Sequence, residues 1–157
     1  MSSCAANILV FDNNTVFTSN RNVNAWEPAA CFFKPQSSFE VAVVLRIVTT
    51  LRTTFAVRGA GHNPNPGFSS VGQGGIVLDM AAINQLTFSA DKSTVTFGPG
   101  NTWDKIYGAA AEFNLTVAGG RVAKVGVGGL LLGGKLARFD FRLLFVIVSY
   151  RYLPYSS

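Results

Sequence analysis

The sequence predicts an α/β fold, in the α+β sense, and three observations carry that prediction. A capped amphipathic helix stands between extended segments, short apolar strands alternate with glycine turns, and a second helical stripe follows a hairpin. A small parallel sheet is expected to pack the two helices, 38–52 and 102–114, with the hairpin beside it. At 157 residues the chain is long enough for a real core.

Residues 1–34 are rich in Asn, Ser and Thr and read as a loop segment. Glu27-Pro28 and Lys34-Pro35 hold the chain extended, because a residue before proline avoids helical angles. Ser37-Ser38-Phe39-Glu40 has the spacing of a capping box, Ser37 as N-cap and Glu40 reaching back. Val41, Val44, Leu45, Val48 and Leu51 then fall on one helical face, which predicts a helix over 38–52. Thr54 to Arg58 is a short apolar strand, and Pro64, Pro66 and Gly67 forbid a helix soon after it. Gly75 to Met80 reads as a buried strand, with Ile83 to Leu86 as its exit turn.

Thr87-Phe88-Ser89 and Thr94-Val95-Thr96-Phe97 flank Ala90 to Ser93, a hairpin by alternation and turn chemistry. Gly98-Pro99-Gly100 breaks the strand. The helix expected over 102–114 sets Trp103, Ile106, Tyr107, Ala110 and Phe113 on one face. Leu115 to Val117 extends toward Gly119-Gly120, and a glycine-rich stretch follows over 125–134. From Lys135 the character changes: 135–157 lacks glycine and is dense in aromatics and arginine.

Composition narrows the function classes. Charged residues are 13% of the chain, about half the usual quarter, which argues against disorder and suggests a surface covered by a cofactor or more protein. Of the net charge of +5, +3 sits in 135–157, where Lys135, Arg138, Arg142 and Arg151 oppose Asp140. No basic cluster stands beside an aromatic platform, so nucleic acid is not an expected partner. The uncharged run Leu143 to Tyr150 is eight residues, against the about twenty that span a bilayer, so no membrane segment is expected. Cys4 and Cys31 lack the companions of a metal site; they could close one disulfide or stay buried thiols. With the sequons at Asn13 and Asn114 they point to export, yet Met1 to Asp12 lacks the regions of a signal peptide.

The run Phe55-Ala56-Val57-Arg58-Gly59-Ala60-Gly61-His62-Asn63 carries the chemistry. Glycines let the backbone turn sharply and approach a ligand, and successive N–H groups there form a concavity suited to phosphate oxygens. Proline stands where the dinucleotide fingerprint wants its third glycine, so a Rossmann site is not read. Gly98-Pro99-Gly100 fails at the same position and reads as a strand-to-helix turn. Gly129 to Leu136 comes within one residue of a Walker A loop, but Leu136 replaces the hydroxyl that would hold Mg²⁺. His62 could orient a ligand, act as a base, serve as a nucleophile for covalent attachment, or simply make a structural hydrogen bond. Arg58 could meet a phosphate or pair with Asp79. Trp103 and Tyr107 lie on the helix stripe and read as core.

Taken in order, these segments resemble the FAD-binding, PCMH-type domain of the vanillyl-alcohol oxidase and p-cresol methylhydroxylase superfamily, nearest the berberine-bridge-enzyme-like oxidases of fungi. The resemblance runs from about Trp26 to Gly134. It takes in the spacing Cys31 to Pro35, Val57 to His62, Phe68-Ser69-Ser70, Gly75 to Met80, Gly98 to Trp103, Gly119-Gly120-Arg121 and Val125 to Gly129. It implies an FAD cradle made by Arg58, Gly59, Ala60, Gly61, His62 and Asn63, completed by Ser69, Gly120, Lys124, Val125, Gly126, Gly128 and Gly129. It also implies His62 as covalent attachment point for the flavin, and Cys4 as the partner of Cys31. The activity implied is oxidation of a sugar, alcohol or alkaloid-like substrate with oxygen as acceptor, in a secreted protein.

Departures from the family pattern shape the remaining expectations. Lys135 onward matches nothing in it, and the substrate domain and catalytic base are absent. The expected organisation is a loop segment 1–34, a partial FAD-binding domain 35–134 (first subdomain and the start of the second), and a non-homologous tail 135–157. An inactive truncated remnant, or a small interaction module, is the alternative.

Overall fold

The computed structural model describes Val23, residues 26–133 and a two-residue strand at 153–154. The chain divides into two compact units between Ile83 and Asn84.

In the first unit, β1 (Cys31–Phe33), α1 (Ser38–Thr50), β2 (Phe55–Arg58) and β3 (Ile76–Asp79) follow in chain order. The sheet order is β1-β3-β2 with both pairings parallel, a split β-α-β unit in which β3 enters between the strands that α1 connects. Phe32, Val77 and Ala56 stand in one row across the sheet, and all three are buried. The loop expected over 1–34 therefore ends in a strand. Three residues are too few for alternation to show, and pairing with β3 is what makes Cys31–Phe33 extended.

Helix α1 starts as its capping box predicts. Ser37 Oγ accepts from the Glu40 amide at 3.2 Å, while the Glu40 carboxylate accepts from the Gln36 amide at 2.9 Å, one residue upstream of the usual return bond. The helix ends at Thr50, two residues earlier than expected. Arg52 adopts φ 52°, and the amides of Arg52 and Thr53 return to Thr49 and Val48. Leu51, expected on the buried face, is consequently 70% exposed. Phe39, Val43 and Ile47 are exposed on the same helix at intervals of four residues. After β3, the Asp79 carboxylate accepts from the Ala81 amide at 3.0 Å and caps a single 3-10 turn, Met80–Ala82.

The second unit contains β4 (Leu86–Phe88), β5 (Val95–Phe97), α2 (Trp103–Ala111), β6 (Leu115–Thr116), α3 (Val127–Leu132) and β7 (Leu153–Pro154). β4 and β5 form the expected antiparallel hairpin, and β6 pairs antiparallel with β7. The core gathers Val95, Phe97, Trp103, Ile106, Val117 and Val127. Trp103 and Ile106 bury the apolar face of α2 in this unit's own core. Alternation turns Val95 and Phe97 inward, and the Phe97 ring meets the Trp103 indole edge-to-face at 6.1 Å.

Helix α2 is shorter than the 102–114 expected, closing in turn bonds from Phe113 to Ala110 and Asn114 to Ala111. Phe113, expected to be buried, is an exposed residue that packs edge-to-face on Phe88 at 5.1 Å and carries the Lys92 ammonium at 3.9 Å. Helix α3 arises within the glycine-rich stretch 125–134, to which the sequence assigned no element. Two glycines in six residues cost about 1 kcal/mol each against alanine, so local propensity speaks against it. Val127 is buried and Leu130 and Leu131 pack on the core, which supplies what propensity does not. The tail expected over 135–157 lies outside the described residues except for β7, as do Cys4 and the sequon at Asn13. Among the described residues, no helix is long and apolar enough to cross a membrane.

Candidate functional site

The glycine loop leaves the end of β2 directly. Arg58, the last residue of that strand, is 3% exposed and donates to the Asp79 carboxylate at 2.7 Å. Its guanidinium also lies 5.9 Å from the centre of the Phe32 ring. Of the two partners open to Arg58 in the sequence, Asp79 is the one it holds, because β2 and β3 place the two in register. The Arg58 charge is thus paired within the sheet, at the point where the glycine loop begins.

Gly61 is buried with φ 62°, a conformation costing an L side chain about 1–2 kcal/mol. Gly59, Ala60 and His62 beside it are half-buried. Asn63 is exposed, and its side chain accepts from the Asn65 amide at 3.0 Å, closing a local turn. The arrangement offers consecutive amides in a tight turn, with an imidazole next to it.

A second turn, through Gly67, lies six residues on. Glu27 accepts from the Ser70 hydroxyl at 2.8 Å and from the Gly67 amide at 3.2 Å. Gly67 has φ 77°, and nothing lies within 4 Å of where its Cβ would stand. Ser69 is 8% exposed, and its buried hydroxyl has no hydrogen-bond partner among the described residues. A buried hydroxyl without a partner costs about 1–3 kcal/mol, which makes Ser69 a candidate contact for a bound ligand. The sequence marks Glu27-Pro28 only as a backbone signal and does not show Glu27 as a partner of the Phe68-Ser69-Ser70 motif. A carboxylate forty residues from its partners leaves no spacing pattern.

In the second unit, the residues expected to complete a cradle are laced to the start of α2. Trp103 donates its amide to Val125 O at 3.0 Å, Val127 donates to Asn101 O at 3.1 Å, and Thr102 bridges to Gly126. Asn101 also donates its side-chain amide to Gly98 at 3.1 Å and Gln85 at 3.0 Å, so Gly98-Pro99-Gly100 is the strand-to-helix turn expected. Lys124 is exposed with φ 63°, and its amide reaches Asp104 at 3.4 Å. The Thr102 hydroxyl, then that amide, hold the Asp104 carboxyl below its ordinary range.

Val125 turns its side chain to the core, and Gly126 is buried. A Cβ on Gly128 would stand 3.5 Å from Pro99, and one on Gly129 would meet nothing within 4 Å. Gly120 owes its lack of a side chain to packing: a Cβ there would stand 2.6 Å from Trp103, and a Cβ on Gly119 would fall into the same ring. Tyr107, stacked on Trp103 at 5.8 Å, donates its hydroxyl to Gly120 O at 2.8 Å, and burial raises its pKa. Trp103 and Tyr107 are core, as their stripe predicts. No cluster of metal-ligating side chains occurs among the described residues.

The first unit thus offers a tight turn of amides and an orphaned hydroxyl, with the Arg58 guanidinium beside them paired to Asp79. Such a set fits a phosphate-bearing cofactor held by N–H dipoles and a hydroxyl. Residues 29–146 match the model of the FAD binding domain family, and the chain belongs to that family. It is similar to the FAD-dependent monooxygenase yanF of Aspergillus niger, 41% identical over 145 residues, covering 86% of this chain and 25% of that protein. It is also similar to the FAD-dependent monooxygenase macF of Penicillium terrestre, 47% identical, covering 71% of this chain and 22% of that one. The chain spans about a quarter of the length of these relatives.

Among solved structures, 6-hydroxy-D-nicotine oxidase of Arthrobacter nicotinovorans matches with TM-score 0.65 at 27% identity, over 77% of this chain and 27% of that one. A BBE-like protein of Physcomitrella patens matches with TM-score 0.61 at 21% identity, over 74% of this chain and 26% of the other, and shares the fold. The family, the α/β fold class and FAD as cofactor therefore stand as the sequence motifs imply.

Proposed function

We propose that this FAD-binding domain holds its flavin covalently through His62 and serves a secreted oxidoreductase acting on a sugar, alcohol or alkaloid-like substrate, with oxygen as acceptor. The observation that carries the reading of the site is the orphaned Ser69 hydroxyl, in the same unit as the left-handed turn at Gly61. The backbone of Arg58 to Asn63 and the Ser69 hydroxyl would hold the pyrophosphate. Gly120 and the stretch 124–129 would serve the same cofactor. Bound FAD would supply the two-electron chemistry, and the protein would bind it, orient it and tune it. The half-buried His62 follows the amide turn directly, which suits an anchor on the flavin ring. The names of the relatives, FAD-dependent monooxygenases, and of the nicotine oxidase support oxygen as acceptor.

The test is acid precipitation of the purified chain and of His62→Ala. Wild type is expected to carry yellow, fluorescent flavin into the pellet and the variant to leave it in solution. Colourless pellets from both would overturn covalent attachment.

Export is supported by Cys31, which is held in a disulfide, and by the exposed Asn114 and Thr116 of the sequon Asn114-Leu115-Thr116. In chain taken from its own cells, a glycosidase is expected to lower the mass, and Asn114→Gln to remove that shift. A mass that matches the bare sequence would refute it. A second reading, an interaction module without turnover, is favoured by the exposed stripe Phe39, Val43, Ile47 and Leu51. It predicts self-association in light scattering together with no bound flavin.

A further inference from the structure

We propose that Glu27 is the positioning residue of Ser69, setting the 67–70 turn so that the Ser69 hydroxyl is presented to FAD phosphate. The inference rests on the reading that Ser69 holds FAD.

Two donors of the turn converge on one Glu27 carboxylate oxygen: the Ser70 hydroxyl at 2.8 Å and the Gly67 amide at 3.2 Å. Ser70 Oγ also accepts from the Gly67 amide at 3.4 Å, so the two ends of the turn are closed on each other and on Glu27. Ser70 is 3% exposed, and its hydroxyl is spent on this tie. Its neighbour Ser69 is buried with an orphaned hydroxyl. The adjacent serines thus divide the work: one hydroxyl closes the turn, the other is kept for an outside acceptor.

Glu27 is well placed to act at this distance in sequence. Pro28 keeps it extended. The Ala30 amide donates to Gly75 O at 2.9 Å, and β1 begins at Cys31 in register with Ile76. The carboxylate is therefore delivered from a segment already fixed to the central strand. Gly67, at φ 77°, gives the turn a backbone that cannot be stiffened by a side chain of its own. A hydrogen bond to a charged acceptor is about twice as strong as a neutral one, which suits Glu27 to hold such a turn.

The experiment measures FAD affinity by flavin fluorescence on the full chain, with every protein carrying His62→Ala so that binding is reversible: otherwise wild type, Glu27→Ala, Glu27→Gln, Ser69→Ala and the double variant Glu27→Ala/Ser69→Ala. Amide exchange at Gly67 and the unfolding midpoint accompany each titration. Glu27→Ala is expected to weaken FAD about tenfold, the loss of roughly one hydrogen bond's worth of binding. It should also speed exchange at Gly67 while the unfolding midpoint moves little. Glu27→Gln, which keeps an acceptor oxygen, should recover most of the affinity.

The decisive reading is non-additivity: with Ser69 already removed, losing Glu27 should cost nothing further. Additive losses, or a Glu27→Ala affinity within twofold of wild type, would overturn the positioning role and leave the FAD reading intact. A wild-type chain that binds no FAD would overturn both. Unchanged affinity in Ser69→Ala, with FAD bound by wild type, would overturn the assignment of Ser69 and the role of Glu27 through it.

Discussion

The interior of the first unit holds an ion pair, Arg58 to Asp79 at 2.7 Å, whereas the interior of the second is built round one indole, Trp103. Both leave apolar side chains outside, among them Phe39, Phe55 and Val57 in the first and Phe113, Val122 and Leu132 in the second. In the second, the shape of the backbone is set by apolar contact, as at Gly119 and Gly120, where the Trp103 ring fills the space of a side chain. The two units reach a defined turn by different physics. One uses polar ties, from Glu27 and Asp79, that cost desolvation and leave a hydroxyl over. The other adds packing density to its polar ties from Asn101 and Tyr107, and a missing or an added carbon is felt there.

That contrast is sharpest in what can be repaired. Asp79→Ala leaves the Arg58 charge buried without its carboxylate and is expected to cost about 3–5 kcal/mol. Adding Arg58→Met should recover most of that loss, since an apolar pair of similar volume satisfies the same space. Trp103→Ala is expected to cost about 3–5 kcal/mol as well, through the cavity it leaves. Adding Tyr107→Ala to it should make matters worse. Urea unfolding of the four variants checks this. Recovery in the second unit, or none in the first, would dissolve the distinction.

A smaller effect probes the packing from the other side. Gly119→Ala places a methyl in the Trp103 ring and is expected to cost about 1–3 kcal/mol. In a Trp103→Leu background the same change should cost less, and an equal cost in both would mean that the glycine answers to its backbone instead.

The smallest effect concerns the hairpin turn. The Asp91 carboxyl is held at about 2, against an ordinary 3.8, by the Ser89 hydroxyl and then by the Ser93 hydroxyl and amide. A depressed carboxyl contributes stability above its unfolded value and loses it as pH falls through its folded one. The contribution should therefore be complete at neutral pH and fade between about pH 4 and pH 2. Carboxyl chemical shifts of Asp91 check it, and a midpoint near 4 would count against the turn geometry.

Much of the architecture is legible in short spacings. Ser37 and Glu40 announce the start of α1 because a capping box acts over four residues. The Thr87–Phe97 hairpin, the strand ending at Arg58 and the glycine turn are written equally locally. The end of α1 is less legible, because Arg52 takes a left-handed conformation that the sequence does not advertise. Leu51 and Phe113 satisfy the helical period and are exposed all the same, since both lie past the last turn of their helices.

By itself the sequence determined the capped helix, the strands that flank the glycine loop, the place of His62 and the family, since each rests on neighbours a few residues apart or on an ordered series of motifs. Tertiary structure alone decided that Cys31–Phe33 is a strand, that Arg58 belongs to Asp79, that α3 forms in a glycine-rich stretch, and that Glu27 closes the turn beside Ser69. The reason is physical. Those four depend on partners 21 to 45 residues away or on a core that must exist first, and neither period nor propensity reports on a contact before the chain has made it.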